Sequence, residues 1–101
     1  MWFAIVGTDV PDSLDKRKGA RPAHIARLER LLDEGRLLVA GAFPAIEAED
    51  PGPAGFSGSL ILAEFPSQAE AETWAANDPY VAAGVYANVS IKPFRKALPA
   101  A

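Results

Sequence analysis

The sequence of 101 residues has no cysteine and only one histidine. The absence of cysteine excludes disulfide bonds, thiolate nucleophiles and thiolate metal ligands. One histidine does not supply the clustered ligands of a transition-metal site. The glycines of the central loop are not followed by a strand-turn-helix sequence, which argues against a phosphate or dinucleotide cradle. We therefore expect a protein that works without a metal or another cofactor.

The sequence also lacks a basic block and a long hydrophobic run. It has 10 Lys and Arg against 13 Asp and Glu, a formal net charge of -3. The densest basic group, Lys16 to Lys18 with Arg21, is flanked by Asp12 and Asp15, and we interpret it as a solvated helical face. The apolar residues 2–7 have no basic lead and are too short to span a membrane. These features predict a cytoplasmic protein without nucleic-acid or membrane partners.

The length fits one domain over residues 1–101, with about 95–101 forming a C-terminal tail. Half of the residues are apolar and 23% are charged, as in an ordinary folded protein. A chain this short buries only a modest core, so association with another subunit would add stability.

Hydrophobic patterning predicts four strands and two main helices. Strands are indicated over residues 2–8, 36–43, 58–65 and 86–94. Ser13 is expected to cap a short turn that ends at Gly19, after which a long helix begins at Ala20, has Pro22 in its first turn and stops at Gly35.

A second helix opens with the capping box of Ser67 and Glu70, and Asp78-Pro79 then starts a short helical turn. The order is βαββαβ, with a long loop over residues 44–56. Right-handed crossovers place both helices on one face of a four-stranded antiparallel sheet, which is the ferredoxin-like α+β fold.

The strands are too apolar for a sheet that is covered on one face only. Residues 2–6 and 60–63 do not alternate between apolar and polar side chains, although two helices can cover only one face. An exposed apolar face of this size predicts a homodimer formed through the open face of the sheet. The alternative is that the loop over residues 44–56 folds across that face.

Candidate chemistry lies on the helices. His24 and Arg21 share the apolar stripe of the first long helix, and Asp78 ends the buried face of the second. Antiparallel packing of the helices predicts that His24 and Asp78 meet in a notch beside the sheet. A carboxylate beside an imidazole fixes its tautomer and strengthens it as a general base.

Structural readings of the same residues stay open. Asp78 is also explained as an N-cap, and a single helical histidine is often a packing residue. Arg21 would serve equally well as the partner of an acidic neighbour. Tyr80 and Tyr86 would line a pocket, but aromatic side chains are first of all core residues.

Several segments resemble the YciI-like (YCII-related) proteins, and together they cover nearly the whole chain. The matching segments are residues 12–14, Arg17, 21–24, 33–38, 54–59, 78–86, Val89 and 91–94. The resemblance implies a dimeric α+β barrel of ferredoxin-like subunits. It also implies a site at His24 and Asp78, the pair that helix geometry indicates independently.

Relatives of similar architecture include muconolactone isomerase-like enzymes and a dehydrochlorinase that acts on a chlorinated hydroquinone. The resemblance thus implies proton transfer on a small cyclic or aromatic metabolite, although a fold does not fix a function. In this hypothesis His24 is the general acid or base, Asp78 orients it, and Arg21, Ser59, Tyr80 and Tyr86 contact an anionic substrate. The alternative is a non-catalytic dimeric module that binds a small ligand.

Overall fold

The computed structural model describes residues 1–100 and has the α+β architecture that the sequence predicts. Its strands and helices, in chain order, are β1 (Trp2–Asp9), α1 (Leu14–Asp33), β2 (Leu37–Pro44), β3 (Phe56–Glu64), α2 (Gln68–Ala76), α3 (Pro79–Ala82) and β4 (Tyr86–Phe94). All pairings in the sheet are antiparallel, and the strand order is β2-β3-β1-β4. This is the ferredoxin-like arrangement, with an additional single 3-10 turn over Gly52–Ala54.

Helix α1 begins earlier than the sequence pattern predicts. It starts at Leu14 and continues without a break through Gly19 and Pro22, so the predicted end at Gly19 and the placement of Pro22 in a first turn are wrong. Pro22 is exposed, where its ring meets solvent and its missing N–H costs one helical hydrogen bond. The added turns are held to the sheet because the buried side chain of Arg17 binds Asp9 at the end of β1.

The predicted starts of the two shorter helices are confirmed. The Ser67 hydroxyl accepts a hydrogen bond from the backbone N–H of Glu70 at 3.2 Å, and the Asp78 carboxylate accepts one from the N–H of Tyr80 at 2.9 Å. Helix α3 ends before Gly84, whose φ of 77° lies in the left-handed region that favours glycine. Asp78 therefore has a fixed position between two helices.

The core lies between the sheet and the helices. Along β1 every second residue points to the helices, and this inward series runs Phe3, Ile5, Gly7 and Asp9. It packs against residues of the other elements that include Leu28, Leu31, Ile61, Ala63, Phe65, Ala71 and Ala75. The inward series thus ends in a carboxylate at one end of the sheet.

The opposite face of the sheet carries apolar side chains and no helix. Register places Val6 opposite Leu60 and Ala4 opposite Leu62 on this face. The segment 45–55 does not cover it, because residues 46–49 line a cavity on the helix-bearing side together with His24 of α1. The alternative in which this loop folds across the open face is therefore wrong.

Within residues 1–100 no helix has the length and apolarity needed to cross a bilayer.

Candidate active site

His24 and Asp78 meet in the interior, as the packing of the helices predicts. The Nδ1 atom of His24 lies 2.9 Å from Oδ1 and 3.0 Å from Oδ2 of Asp78. The two residues are 6% and 3% exposed, so the contact is shielded from bulk water. His24 lies near the middle of α1 and not near its start, because the helix is longer than predicted.

The geometry selects one tautomer of the imidazole. An ionised Asp78 carboxylate only accepts hydrogen bonds, so Nδ1 of a neutral His24 donates and Nε2 keeps its lone pair. Within residues 1–100 no side chain hydrogen bonds Nε2, and this atom is not among the fully buried unpaired ones, so it retains contact with solvent. The ring of Tyr80 stacks on the imidazole with 3.9 Å between ring centres and 8° between planes.

A second buried polar cluster lies beside this pair. Arg17 donates from Nε to Asp9 Oδ2 at 2.6 Å and from Nη2 to Asp9 Oδ1 at 2.9 Å. Nη2 also donates to the Ser59 hydroxyl at 2.8 Å, and the Ser13 hydroxyl donates to Asp9. Burial alone would lower the pKa of Arg17, but the hydrogen bonds and charge of Asp9 outweigh it and raise that pKa.

The sequence prediction missed this cluster. It placed Arg17 on a solvated face, whereas the residue is 5% exposed. Two signals point to the correct position. Arg17 precedes His24 by seven residues, which is two helical turns and hence the same face, and Asp9 falls in the inward alternation of β1. The predicted break at Gly19 concealed the first signal, because it placed the two residues in different elements.

Both clusters open on one cavity of about 820 Å³ between α1, β2, β3 and the segment 46–49. Its polar lining includes Arg17, Arg21, His24, Ser59, Tyr80, Glu47 and Glu49. Arg21 is exposed and Ser59 is 4% exposed. Among residues 1–100, no group of three or more His, Asp or Glu is arranged to hold a metal ion.

Two predicted site residues, Asp78 and Tyr86, do not line this cavity, and Asp78 lies behind the imidazole of His24. Tyr86 packs against a lining residue. Its ring contacts the edge of Tyr80 at 5.8 Å between centres and an interplanar angle of 83°. Burial raises the pKa of Tyr86 to about 12, against an opposing hydrogen bond with Ser59. Burial also raises the pKa of Tyr80, although the charges of Arg17 and Arg21 oppose it. Both phenols therefore stay protonated at neutral pH. The ring of Tyr86 packs against Tyr80 and helps to hold it in place.

Comparison with known proteins agrees with this architecture. Residues 1–95 match the YCII-related domain. Protein YciI of Escherichia coli and that of Shigella flexneri are each 58% identical to the chain over 96 residues, which cover 95% of this chain and 98% of the relative. A Haemophilus influenzae protein is 51% identical with the same coverage.

One solved structure is also similar. It is 5-chloro-2-hydroxyhydroquinone dehydrochlorinase (TftG) from Burkholderia phenoliruptrix in complex with 2,5-dihydroxybenzoquinone. It superposes with a TM-score of 0.82 at 28% sequence identity and covers 94% of each chain. The match over residues 1–95 and the identity to its relatives show that the chain belongs to the YCII-related domain family.

Proposed function

We propose that the protein is a cofactor-independent enzyme that moves a proton on a small cyclic or aromatic metabolite, with His24 as the acid–base group. The observation that carries the proposal is the buried contact between Asp78 and the imidazole of His24, which lines the cavity. A base held in one tautomer beside a cavity is the arrangement that general acid–base catalysis requires.

In the proposed step, Nε2 of His24 accepts a proton from a carbon or oxygen of the bound ring. The electron pair left behind forms a new double bond in the substrate. An elimination then expels a leaving group such as chloride, whereas an isomerisation returns the proton from Nε2 to another atom. Asp78 stabilises the imidazolium that forms, because the charged pair is buried at 2.9 Å.

The similarity to TftG supports this reaction class. TftG is a dehydrochlorinase of a hydroxylated ring, and its structure contains a dihydroxylated quinone. A cavity lined by the phenol of Tyr80, the hydroxyl of Ser59 and guanidinium groups is compatible with a ring that carries oxygen substituents. The substrate of the present chain is proposed to be of this kind, namely small, cyclic and anionic.

We also propose that the working unit is a homodimer formed through the open face of the sheet. The outward side chains of the two central strands are apolar, among them Val6, Leu60 and Leu62. Neither the helices nor the segment 45–55 covers them. A second copy related by a twofold axis would bury the same face of both subunits.

The test is turnover of 5-chloro-2-hydroxyhydroquinone, measured as chloride release, together with a panel of small unsaturated lactones followed by NMR in D2O. We expect His24→Gln and His24→Ala to lower turnover by about 10²–10⁴-fold, because the transferred proton loses its acceptor. Asp78→Asn should lower kcat as well, and ¹⁵N shifts should show that His24 no longer holds its proton on Nδ1.

Asp33→Asn is the matched control, because it makes the same chemical change at an exposed residue at the end of α1. It should leave turnover unaltered. Turnover that persists in both His24 variants would remove the imidazole from the mechanism. A wild-type protein that binds panel compounds without changing any of them would be a ligand-binding module, and the enzymatic proposal would fail.

A further inference from the structure

Arg17 has more hydrogen-bonding capacity than its protein partners use. A guanidinium carries five N–H donors. The Nε donor and both Nη2 donors are taken by Asp9 and Ser59. Within residues 1–100 the hydrogen bonds of Arg17 to Asp9 and Ser59 use Nε and Nη2, and the Tyr80 phenol also interacts with the guanidinium. Nη1 is not among the fully buried unpaired atoms. Arg17 is 5% exposed and lines the cavity, so the small part of its side chain that is not buried borders that cavity.

The guanidinium is held rigidly in place. The carboxylate of Asp9 accepts two parallel hydrogen bonds from it. The ring centres of Tyr80 and Phe56 lie 5.0 and 5.2 Å from its Cζ atom. Such bidentate contacts and cation–π contacts fix the plane of an arginine. Little conformational freedom remains to be lost when the free Nη1 donors bind a ligand, which favours tight and selective binding.

The same guanidinium and the proposed base line one cavity. The imidazole of His24 stacks at 3.9 Å on the ring of Tyr80, and Cζ of Arg17 lies 5.0 Å from the centre of that ring. Both groups therefore border the same aromatic side chain at one end of the cavity. Because both residues line the same cavity, a ring bound there would contact Arg17 through one substituent while another of its atoms faces Nε2.

We propose that Arg17 is the oxyanion-binding residue of this site, and that the ligand is a small ring bearing an ionised oxygen, a phenolate or enolate. The inference rests on the proposed function for the chemistry at His24, but it specifies the anionic group as an ionised ring oxygen and adds a residue that selects it. Binding an ionised oxygen at Arg17 stabilises the negative charge that grows on the ring when a proton is removed from it.

Other charges of the cavity are less suited to this role. Arg21 is exposed, so water screens its charge and its side chain loses more conformational freedom on binding. Glu47 and Glu49 are exposed on the segment 46–49 and would repel an anion at that wall. The carboxylate of Asp9 is already occupied by Arg17 and Ser13. An ionised oxygen is therefore best accommodated at Nη1 of Arg17.

The test compares two ring probes by isothermal titration calorimetry. One is 2,5-dihydroxybenzoquinone, whose hydroxyls ionise, and the other is its neutral dimethoxy ether. We expect wild type to prefer the ionised probe. Arg17→Lys keeps a charge beside Asp9 but loses the planar fork, and it should lower this preference by at least about tenfold. The double variant R17M/D9N removes both charges together, so that no buried carboxylate is left unpaired, and should abolish the preference.

Arg21→Met and the remote Arg30→Met are the comparison variants, and each should lower the preference less than about threefold. The proposal is overturned if wild type shows no preference, if the folded Arg17 variants retain it, or if Arg21→Met causes the larger loss. Calorimetric titration of His24→Gln with the same two probes separates this binding test from the test of catalysis. That variant should retain the preference even where it loses turnover, so failure of either proposal is read from a different measurement.

Discussion

At the scale of single residues, the two candidate clusters differ in how well the sequence predicts them. His24 is the only histidine and falls on an apolar stripe, and Asp78 is tied to a helix boundary by the proline that follows it. Their spatial meeting was therefore predictable and is confirmed at 2.9 Å, while their catalytic role stays a prediction. Arg17 was not found because neighbouring lysines and aspartates make its segment look like an ordinary solvated surface.

Tyr86 should make stability depend on pH in the alkaline range. Burial raises its pKa from an ordinary value of 10.0 to about 12, so the folded state holds this proton more tightly than the unfolded chain does. That contribution is complete below pH 10 and is lost as pH rises through 12. We expect the free energy of unfolding, measured by urea titration, to fall between pH 10 and pH 12.

Tyr86→Phe should make that fall shallower, because the variant lacks the titrating phenol. Thr73→Ala, an exposed change on α2 and away from the open face of the sheet, is the control and should keep the wild-type slope. An identical slope in wild type and Tyr86→Phe would show that this phenol does not contribute to the alkaline loss of stability.

At the scale of elements, strand order and the caps at Ser67 and Asp78 follow from the sequence, whereas the start of α1 does not. Ser13 occupies the N-cap position, but its hydroxyl donates to Asp9 and accepts no hydrogen bond from the first turn of the helix. Gly19 and Pro22 are ordinary stop and start signals, and local propensity alone breaks the helix between them. The buried bond from Arg17 to Asp9 joins α1 to β1 and overrides that preference. It is a contact between different elements, so helix propensity does not report it, although the seven-residue spacing of Arg17 and His24 places both on one face of a continuous helix.

Gly19→Ala tests this description of α1. Gly19 has no positive φ, and an added Cβ there meets nothing within 4 Å. Alanine should therefore stabilise the protein by about 0.5–1 kcal/mol, seen as a higher urea midpoint. Ala26→Gly makes the reverse change at an exposed position of the same helix and should destabilise by a similar amount. A lower midpoint for Gly19→Ala would contradict a continuous helix.

At the scale of the whole molecule, the two faces of the sheet are unlike, and this asymmetry is the reason to propose a dimer. The helix side holds the core and borders the cavity. On the other side the two central strands, β1 and β3, present apolar residues such as Val6, Leu60 and Leu62, and no element covers them. Strand composition predicts this asymmetry because residues 2–6 and 60–63 lack the alternation of a half-solvated sheet. Where the segment 45–55 lies could not be predicted, since its composition only marks it as a loop.

Leu62→Glu should dissociate the proposed dimer. The change places a charge at the centre of the open face, opposite Ala4, and would bury it without a partner. We expect the dimer Kd to rise by more than about a hundredfold, measured by light scattering during gel filtration at several concentrations. Leu32→Glu, the same substitution at a residue that is 59% exposed on α1, should leave the mass unchanged. A dimeric Leu62→Glu protein would place the interface elsewhere.

Because α1 is unbroken, Arg17 and His24 are carried by one rigid rod, with about 10.5 Å of helical rise between their Cα atoms. Their separation is thus independent of any loop. The exposed segment 46–49, in contrast, forms a wall of the same cavity without helical or strand structure of its own. Changes in the length or composition of that wall would alter which molecules enter the cavity. The distance between the backbones of Arg17 and His24 would remain constant.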